Sequence, residues 1–191
     1  MRKLSIVIPA FNEQRNVDIL YKEIKEKLDG KIENYEVVFV DDGSKDNTFD
    51  VLSEIASHDK KVKVIKHLAN AGQSGAIATG ARYAKGEVIV TMDSDLQHDP
   101  EDIFSLLGKL NQGYDVVCGW RKERKDSDSF IKKTIPSKIS NILIRSLTKT
   151  KLHDATGGMR AFRRKVTEEI ELFGEMHRYL PILAVWKGFR V

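Results

Sequence analysis

Apolar residues along this chain fall into short unbroken runs that alternate with stretches of helical period. Leu4-Ser5-Ile6-Val7-Ile8 is the first run, and Pro9 is expected to stop it. From Asn16 to Leu28 the apolar positions are Val17, Leu20, Ile24 and Leu28, one face of a helix. Tyr35 to Val40 reads as a second strand. Asp46-Asn47-Thr48 then offers caps for a helix carrying Val51, Leu52 and Ile55. Val62 to His67 is a third strand, Gly72 to Ala84 a helix of small residues, and Val88 to Met92 a fourth strand. Pro100 to Leu110 is expected to be helical and Asp115 to Trp120 to be a fifth strand. Continuous apolar strands alternating with amphipathic helices predict a Rossmann-like α/β fold, a mostly parallel sheet with helices on both faces.

The second half is less regular. Ile131 to Leu147 carries a stripe of Ile131, Ile135, Ile139, Ile142 and Leu143, with Lys132, Lys133, Lys138 and Arg145 mostly off it. A surface helix packed on the sheet is one reading of that stripe, and a helix at a membrane surface or beside an acceptor is the other. The turn-rich stretch from His153 to Arg160 leads into Ala161-Phe162-Arg163, with Arg163 read as a solvated strand residue. Lys165 to Leu172 and Met176 to Trp186 read as helices, Pro181 marking a kink or a first turn. Gly188 to Val191 reads as the start of a strand, so the natural protein is expected to continue.

Composition changes this picture little. At 191 residues the chain is long enough for one domain. No apolar run is long enough to span a bilayer, and the start runs straight into a strand, so no signal peptide is expected. A single cysteine, Cys118, excludes an internal disulfide, fits a reducing compartment and reads as a core thiol. The net charge of +4 is mild, but Arg121 to Lys151 is rich in Lys and Arg while acidic residues gather upstream. That asymmetry points to an anionic partner near the later segment. Zinc-type Cys/His spacing, a Walker A loop and G-x-G-x-x-G are all missing.

Chemistry concentrates where strands end. Ligands of open α/β sheets sit outside the carboxyl ends of the strands. Three such ends are unusual: Pro9-Ala10-Phe11-Asn12-Glu13, Asp41-Asp42-Gly43-Ser44 and Asp93-Ser94-Asp95-Leu96-Gln97. Asp93 and Asp95 leave a buried strand one residue apart, so they repel each other and lose hydration. A divalent cation is the simplest remedy. Oxygen ligands suit Mg²⁺ or Mn²⁺, ions commonly shared with a substrate's phosphates. The alternative is that both carboxylates only cap the helix that Asp99-Pro100-Glu101 opens.

With these residues the chain resembles the inverting GT-A glycosyltransferases, and within them the polyprenyl-phosphate glycosyltransferases. The resemblance spans the whole chain. Val7 to Glu13 and Val40 to Ser44 carry the wider family's pattern. Asp93 to Glu101, Gly119-Trp120-Arg121 and Gly174-Glu175-Met176-His177-Arg178 carry the narrower one. It implies a GT-A domain over residues 1–191, with 1–120 binding a nucleotide sugar and 121–191 an acceptor. Pro9, Ala10 and Glu13 would line the nucleotide pocket, Glu13 accepting from the ribose, and Asp41 would accept from the base. Asp42 would hold the turn that Gly43 permits. Asp93 would lie against the ribose or sugar and the metal, and Asp95 and Gln97 would be the direct metal ligands. Arg121 would neutralise phosphate oxygens. Lys133 and Ser137 would hold the acceptor phosphate, and Asp154 stands at the family's base-like carboxylate.

The implied reaction is metal-dependent transfer of a hexose, from UDP-glucose or GDP-mannose type donors, to a polyprenyl phosphate at the cytoplasmic face of a membrane. No nucleic-acid partner is expected. Three competing functions are a transferase acting on another acceptor, a nucleotidyltransferase, and a non-catalytic module binding nucleotide or lipid phosphate. A nucleotidyltransferase would want a Gly-rich basic loop after the first strand, and Pro9 to Glu13 has neither feature.

Overall fold

Alternation along the first strand decides how the domain is layered. Leu4, Ile6, Ile8 and Ala10 enter one apolar cluster and Val7 enters another, because successive strand side chains face opposite sides. A sheet with two apolar faces must be covered twice. The structure, a computed structural model, describes residues 3–119, 158–171, 174 and 176–191. In chain order it contains β1 (Leu4–Ala10), α1 (Val17–Leu28), β2 (Tyr35–Asp41), α2 (Thr48–His58), β3 (Val62–Lys66), α3 (Gly72–Tyr83), β4 (Val88–Thr91) and α4 (Asp102–Asn111). Then follow β5 (Val116–Cys118), β6 (Arg160–Arg163), α5 (Arg164–Glu169), a 3₁₀ turn (Met176–Tyr179) and α6 (Leu180–Trp186).

Helices α1, α2 and α4 cover the first face through Leu20, Ile24, Leu52, Ile103 and Leu106. Helices α3, α5 and α6 cover the second through Ala81, Val166, Leu180 and Ala184. Close approach explains the small residues of α3. A Cβ on Gly80 would stand 2.3 Å from Val7 Cγ1 and 3.2 Å from Val40 Cγ2.

The strand order is β3-β2-β1-β4-β6-β5. The first four strands are mutually parallel, as the alternating pattern predicts. Strand β6 pairs antiparallel with both β4 and β5. Arg163, read as a solvated strand residue, is instead half-buried. Arg163 donates to the carbonyls of Leu110 and Tyr114 at the end of α4.

Two expectations at strand ends are corrected. Pro9 does not stop β1, which runs on to Ala10. The β1–β4 ladder has already ended at Val7 and Thr91. Ala10 O accepts from Asp42 N on the β2 side, so the Pro9 nitrogen faces the other side, where no partner is lost. Gly188 to Val191 is not a strand. Arg190 O accepts from the amides of Asp115 and Val116, and Phe189 and Val191 pack on the second cluster. The helix expected over residues 131–147 lies outside the described residues. Pro181 stands in the first turn of α6, one of the two places foreseen for it. Cys118 is half-buried against the second cluster.

Asp59, just past α2, ties α1 to α2. Its carboxylate accepts from the Tyr21 hydroxyl, Lys25 Nζ and the Lys61 amide. Burial raises its pKa, but these donors outweigh that and bring it from the usual 3.8 down to about 2. Burial, then the Asp59 carboxylate, pushes Tyr21 up to about 12. A depressed carboxylate stabilises fully above its unfolded pKa and ceases to as pH falls through its folded one. Asp59→Asn should therefore cost on the order of 2 kcal/mol at pH 7. The gap to wild type should close as pH falls from about 4 toward 2. Urea unfolding at stepped pH measures this, and a gap independent of pH would contradict it.

Candidate active site

The loops that follow β1 and β2 are stitched together before any ligand is considered. Asn12 N donates to Ser44 Oγ, Lys45 N to Asn12 Oδ1, and Asn47 N to Gln14 Oε1. Asn12 takes a left-handed backbone (φ 58°), a conformation Asn tolerates. Glu13 N donates to the Thr48 hydroxyl, and Glu13 Oε2 accepts from Asn16 Nδ2 at 2.6 Å. These bonds hold Pro9 to Glu13 as one wall of a cleft.

Asp41 and Asp42 are both buried but do different work. Asp41 Oδ1 accepts from Ser44 N at 3.2 Å, while its Oδ2 is buried without a hydrogen-bond partner. A buried carboxylate oxygen in that state is costly unless a ligand supplies a donor. Asp42 does more than hold its own turn. Its carboxylate accepts from Ala71 N at 2.8 Å and Gly72 N at 2.9 Å, and stands 2.7 Å from His67 Nδ1. It therefore fixes the loop leading into α3. Gly43 between the two loops has φ 73°, and a Cβ there would lie 2.9 Å from the Ala69 and Asn70 backbone.

The third wall leaves β4. Asp93 Oδ1 accepts from Gln73 Nε2 at 2.6 Å, and His98 Nε2 stands 3.7 Å from Asp93 Oδ2. Asp95 and Gln97 are exposed. Neither Asp93 nor Asp95 serves as the cap of α4: Asp99 Oδ1 accepts from Glu101 N at 2.8 Å, and the Asp99 carbonyl from Asp102 N. The capping alternative thus loses its basis, and both carboxylates are left facing the cleft. Pro9, Ala10, Phe11, Glu13, Asp42, Asn70, Gly72, Gln73, Asp93, Ser94 and Asp95 enclose about 420 Å³. The cleft sits where the strand order reverses between β1 and β4, outside their carboxyl ends. A larger groove of about 640 Å³ lies between α1 and α2. Its Asp18, Lys22, Lys25 and Asp59 are already paired with one another, which makes it the weaker candidate.

Residues 5–171 match the sequence pattern described as Glycosyl transferase family 2. The chain belongs to glycosyl transferase family 2. Among curated relatives, this family 2 chain is 36% identical over 181 residues to a dodecaprenyl-phosphate galacturonate synthase of Rhizobium johnstonii, covering 94% of this chain and 53% of that protein. It is 36% identical over 182 residues to an undecaprenyl-phosphate 4-deoxy-4-formamido-L-arabinose transferase of Shewanella sediminis, with 95% and 54% covered. The chain thus spans about half the length of the curated relatives it matches. The fold is that of the GT-A glycosyltransferases. The mannosyltransferase PcManGT of Pyrobaculum calidifontis, solved with GDP-Man and Mn²⁺, superposes with a TM-score of 0.70 at 21% identity, over 99% of this chain and 53% of that one. Glucosyl-3-phosphoglycerate synthase of Mycobacterium tuberculosis, solved with Mn²⁺, UDP and phosphoglyceric acid, gives 0.64 at 21% identity, over 86% and 57%.

Of the residues read from sequence, the family 2 fold brings Pro9, Ala10, Glu13, Asp93 and Asp95 to one cleft. It buries Asp41 at the end of β2. Arg121, Lys133, Ser137 and Asp154 lie outside the described residues. Sequence reasoning missed Gln73 and His98 and gave Asp42 too small a role. It quoted His177 only as a family signature. The buried His177 donates its backbone amide to Ser74 Oγ at 3.0 Å, and its Nδ1 lies 2.7 Å from the same oxygen. The hydroxyl accepts from the amide and shares a second hydrogen bond with Nδ1. This contact seats the 3₁₀ turn on the start of α3, beside Gln73. His177→Ala should take the ring's hydrogen bond from the buried Ser74 hydroxyl and cost about 1–3 kcal/mol. Thermal unfolding would show it, and an unchanged melting temperature would contradict it.

Proposed function

We propose that this family 2 domain transfers a hexose from a UDP-glucose or GDP-mannose type donor to a polyprenyl phosphate, with inversion. The reading rests on one observation above all. Glu13, Asp93 and Asp95 meet around a cleft at the sheet's switch point, beside a buried Asp41 that leaves one oxygen without a donor. The lipid-phosphate acceptors in the names of the 36%-identical relatives support the choice of acceptor.

In this reading Asp41 Oδ2 accepts from the base and Glu13 from the ribose. Asp93 faces the sugar, oriented by Gln73. Asp95 and Gln97 would hold a divalent cation. Their donors are oxygen atoms alone, which suits Mg²⁺ or Mn²⁺. Among the described residues no three His, Cys, Asp or Glu side chains converge as a metal cage. A site of two protein ligands completed by diphosphate and water fits that sparse donor set. The cation, when bound, neutralises charge growing on the leaving diphosphate. An acceptor phosphate oxygen forms a bond to the anomeric carbon from the face opposite the diphosphate. The bond from that carbon to the diphosphate oxygen breaks, and its electron pair leaves with the nucleoside diphosphate. Arg121 would neutralise phosphate oxygens, with Lys133 and Ser137 on the acceptor. A phosphate is ionised near neutral pH, so Asp154 orients more than it abstracts a proton.

Among the described residues no helix is long and apolar enough to cross a membrane. The acceptor's own chain places the reaction at a membrane, in this proposal at its cytoplasmic face. The test is a panel of nucleotide sugars with Mg²⁺ or Mn²⁺ and a short polyprenyl phosphate, following nucleoside diphosphate release. Release that requires both metal and lipid phosphate is expected. No release from any donor, or equal release without the lipid, would overturn the proposal.

A further inference from the structure

Between the two proposed metal ligands stands Leu96, and its backbone lies in the left-handed region at φ 59°. Among the described residues the only other non-glycine there is Asn12, a type that tolerates it. For leucine this conformation is strained, and it persists only where the surroundings over-determine it. The surroundings here are visible. The Leu96 side chain is half-buried and packs on the first core cluster, while Asp95 and Gln97 on either side are exposed. The backbone just before the turn is held by Met92, whose side chain is fully buried and whose amide donates to Val7 O. Pro100 is buried just after it.

Geometry says what the turn achieves. In an extended segment residues 95 and 97 would share a side but stand roughly 7 Å apart along the strand. In a right-handed helical turn they would point to nearly opposite sides. The left-handed turn brings Gln97 N to 3.1 Å from Asp95 Oδ1. We propose that Leu96 is a positioning residue: its side chain, seated in the core, locks the left-handed turn that presents Asp95 and Gln97 together to a divalent cation. This rests on the metal reading above and adds what sets the ligands' geometry.

Leucine and glycine make opposite predictions at this position. Glycine adopts the left-handed backbone freely, so if only the backbone angle mattered Leu96→Gly would be harmless. If the apolar anchor matters, Leu96→Gly frees the turn and the ligands lose their alignment. The experiment measures UDP and GDP affinity by calorimetry, with Mn²⁺ and with chelator, and records the spin-resonance spectrum of bound Mn²⁺. The expected result is that Leu96→Gly loses about 10- to 100-fold in the Mn²⁺-dependent gain, the usual effect of disturbing ligand support. Its metal-free nucleotide affinity stays unchanged and its Mn²⁺ spectrum broadens. Leu96→Met, which keeps an apolar anchor of similar volume, retains the gain. Ile103→Val, a cut elsewhere in the same core, lowers the melting temperature but not the gain. A Leu96→Gly protein with the wild-type gain and spectrum overturns the inference. So does an Ile103→Val protein that loses as much as Leu96→Gly. Wild-type protein with no Mn²⁺-dependent gain overturns the metal reading itself and this inference with it.

Discussion

Asp95→Ala should remove metal-dependent binding of the nucleotide sugar and leave the fold intact. Asp95 is exposed, and its side chain makes one weak local bond, accepting from Gln97 N at 3.1 Å. Little stability depends on it, so the unfolding free energy should change by less than about 0.5 kcal/mol. The chemistry has no such slack. Losing a group that stabilises charge in the transition state typically costs about 10²–10³ in rate. Turnover should fall by that amount, and Mg²⁺ or Mn²⁺ should cease to improve nucleotide affinity. Unchanged affinity together with unchanged metal dependence would remove Asp95 from the site.

Asp42→Ala should damage stability and binding at once, the opposite profile. Its carboxylate is the common acceptor for the amides of Ala71 and Gly72 and the partner of His67. His67 in turn reaches Thr79 Oγ1 through Nε2 at 3.0 Å, so the network ends inside α3. Truncation leaves the Ala71 amide without its acceptor and the Gly72 amide with Asn70 Oδ1 alone, at 3.1 Å. We expect a loss on the order of 2–3 kcal/mol, large against a domain stability of about 5–15 kcal/mol. Gly72 and Gln73 line the cleft, so nucleotide affinity should fall with it. Asp42→Asn keeps one acceptor oxygen and should land between the two. Thermal melts paired with nucleotide titrations read both effects. An Asp42→Ala protein that melts lower but binds normally would show that the loop serves the fold alone.

The contrast shows which parts of the site can be read from sequence. Asp93 and Asp95 are conspicuous because they interrupt an apolar run, so their neighbours in sequence expose them. The work of Asp42, Gln73 and His177 is invisible there, since their partners lie 29, 20 and 103 residues away. The same distinction holds for the fold. Strands β1 to β4 carry their own apolar runs and were legible apart from their ends. Strand β6 is four residues long, begins and ends in arginine, and exists because β4 and β5 both pair with it. Its first residue, Arg160, is buried, which no local pattern announces. Gly188 to Val191 shows the reverse error. It has strand-like composition, but its backbone bonds to β5 run through Arg190 O alone, while Phe189 bonds back to Ala184 O and packs with Val191 on the second cluster.

The pairing of β5 with β6 has one more consequence. Gly119 N donates to Met159 O at 2.9 Å, and Cys118 lies opposite Arg160. The chain therefore departs and returns through a closed gate on the edge of the sheet that carries the cleft. The two described ends of the intervening segment are thus held side by side by the β5–β6 pair. Lengthening such a connection is cheap, roughly 0.6 kcal/mol for each doubling, because its ends are already held together. A frame closed in this way tolerates changes of length or sequence between its ends while the strands that carry the cleft stay in register.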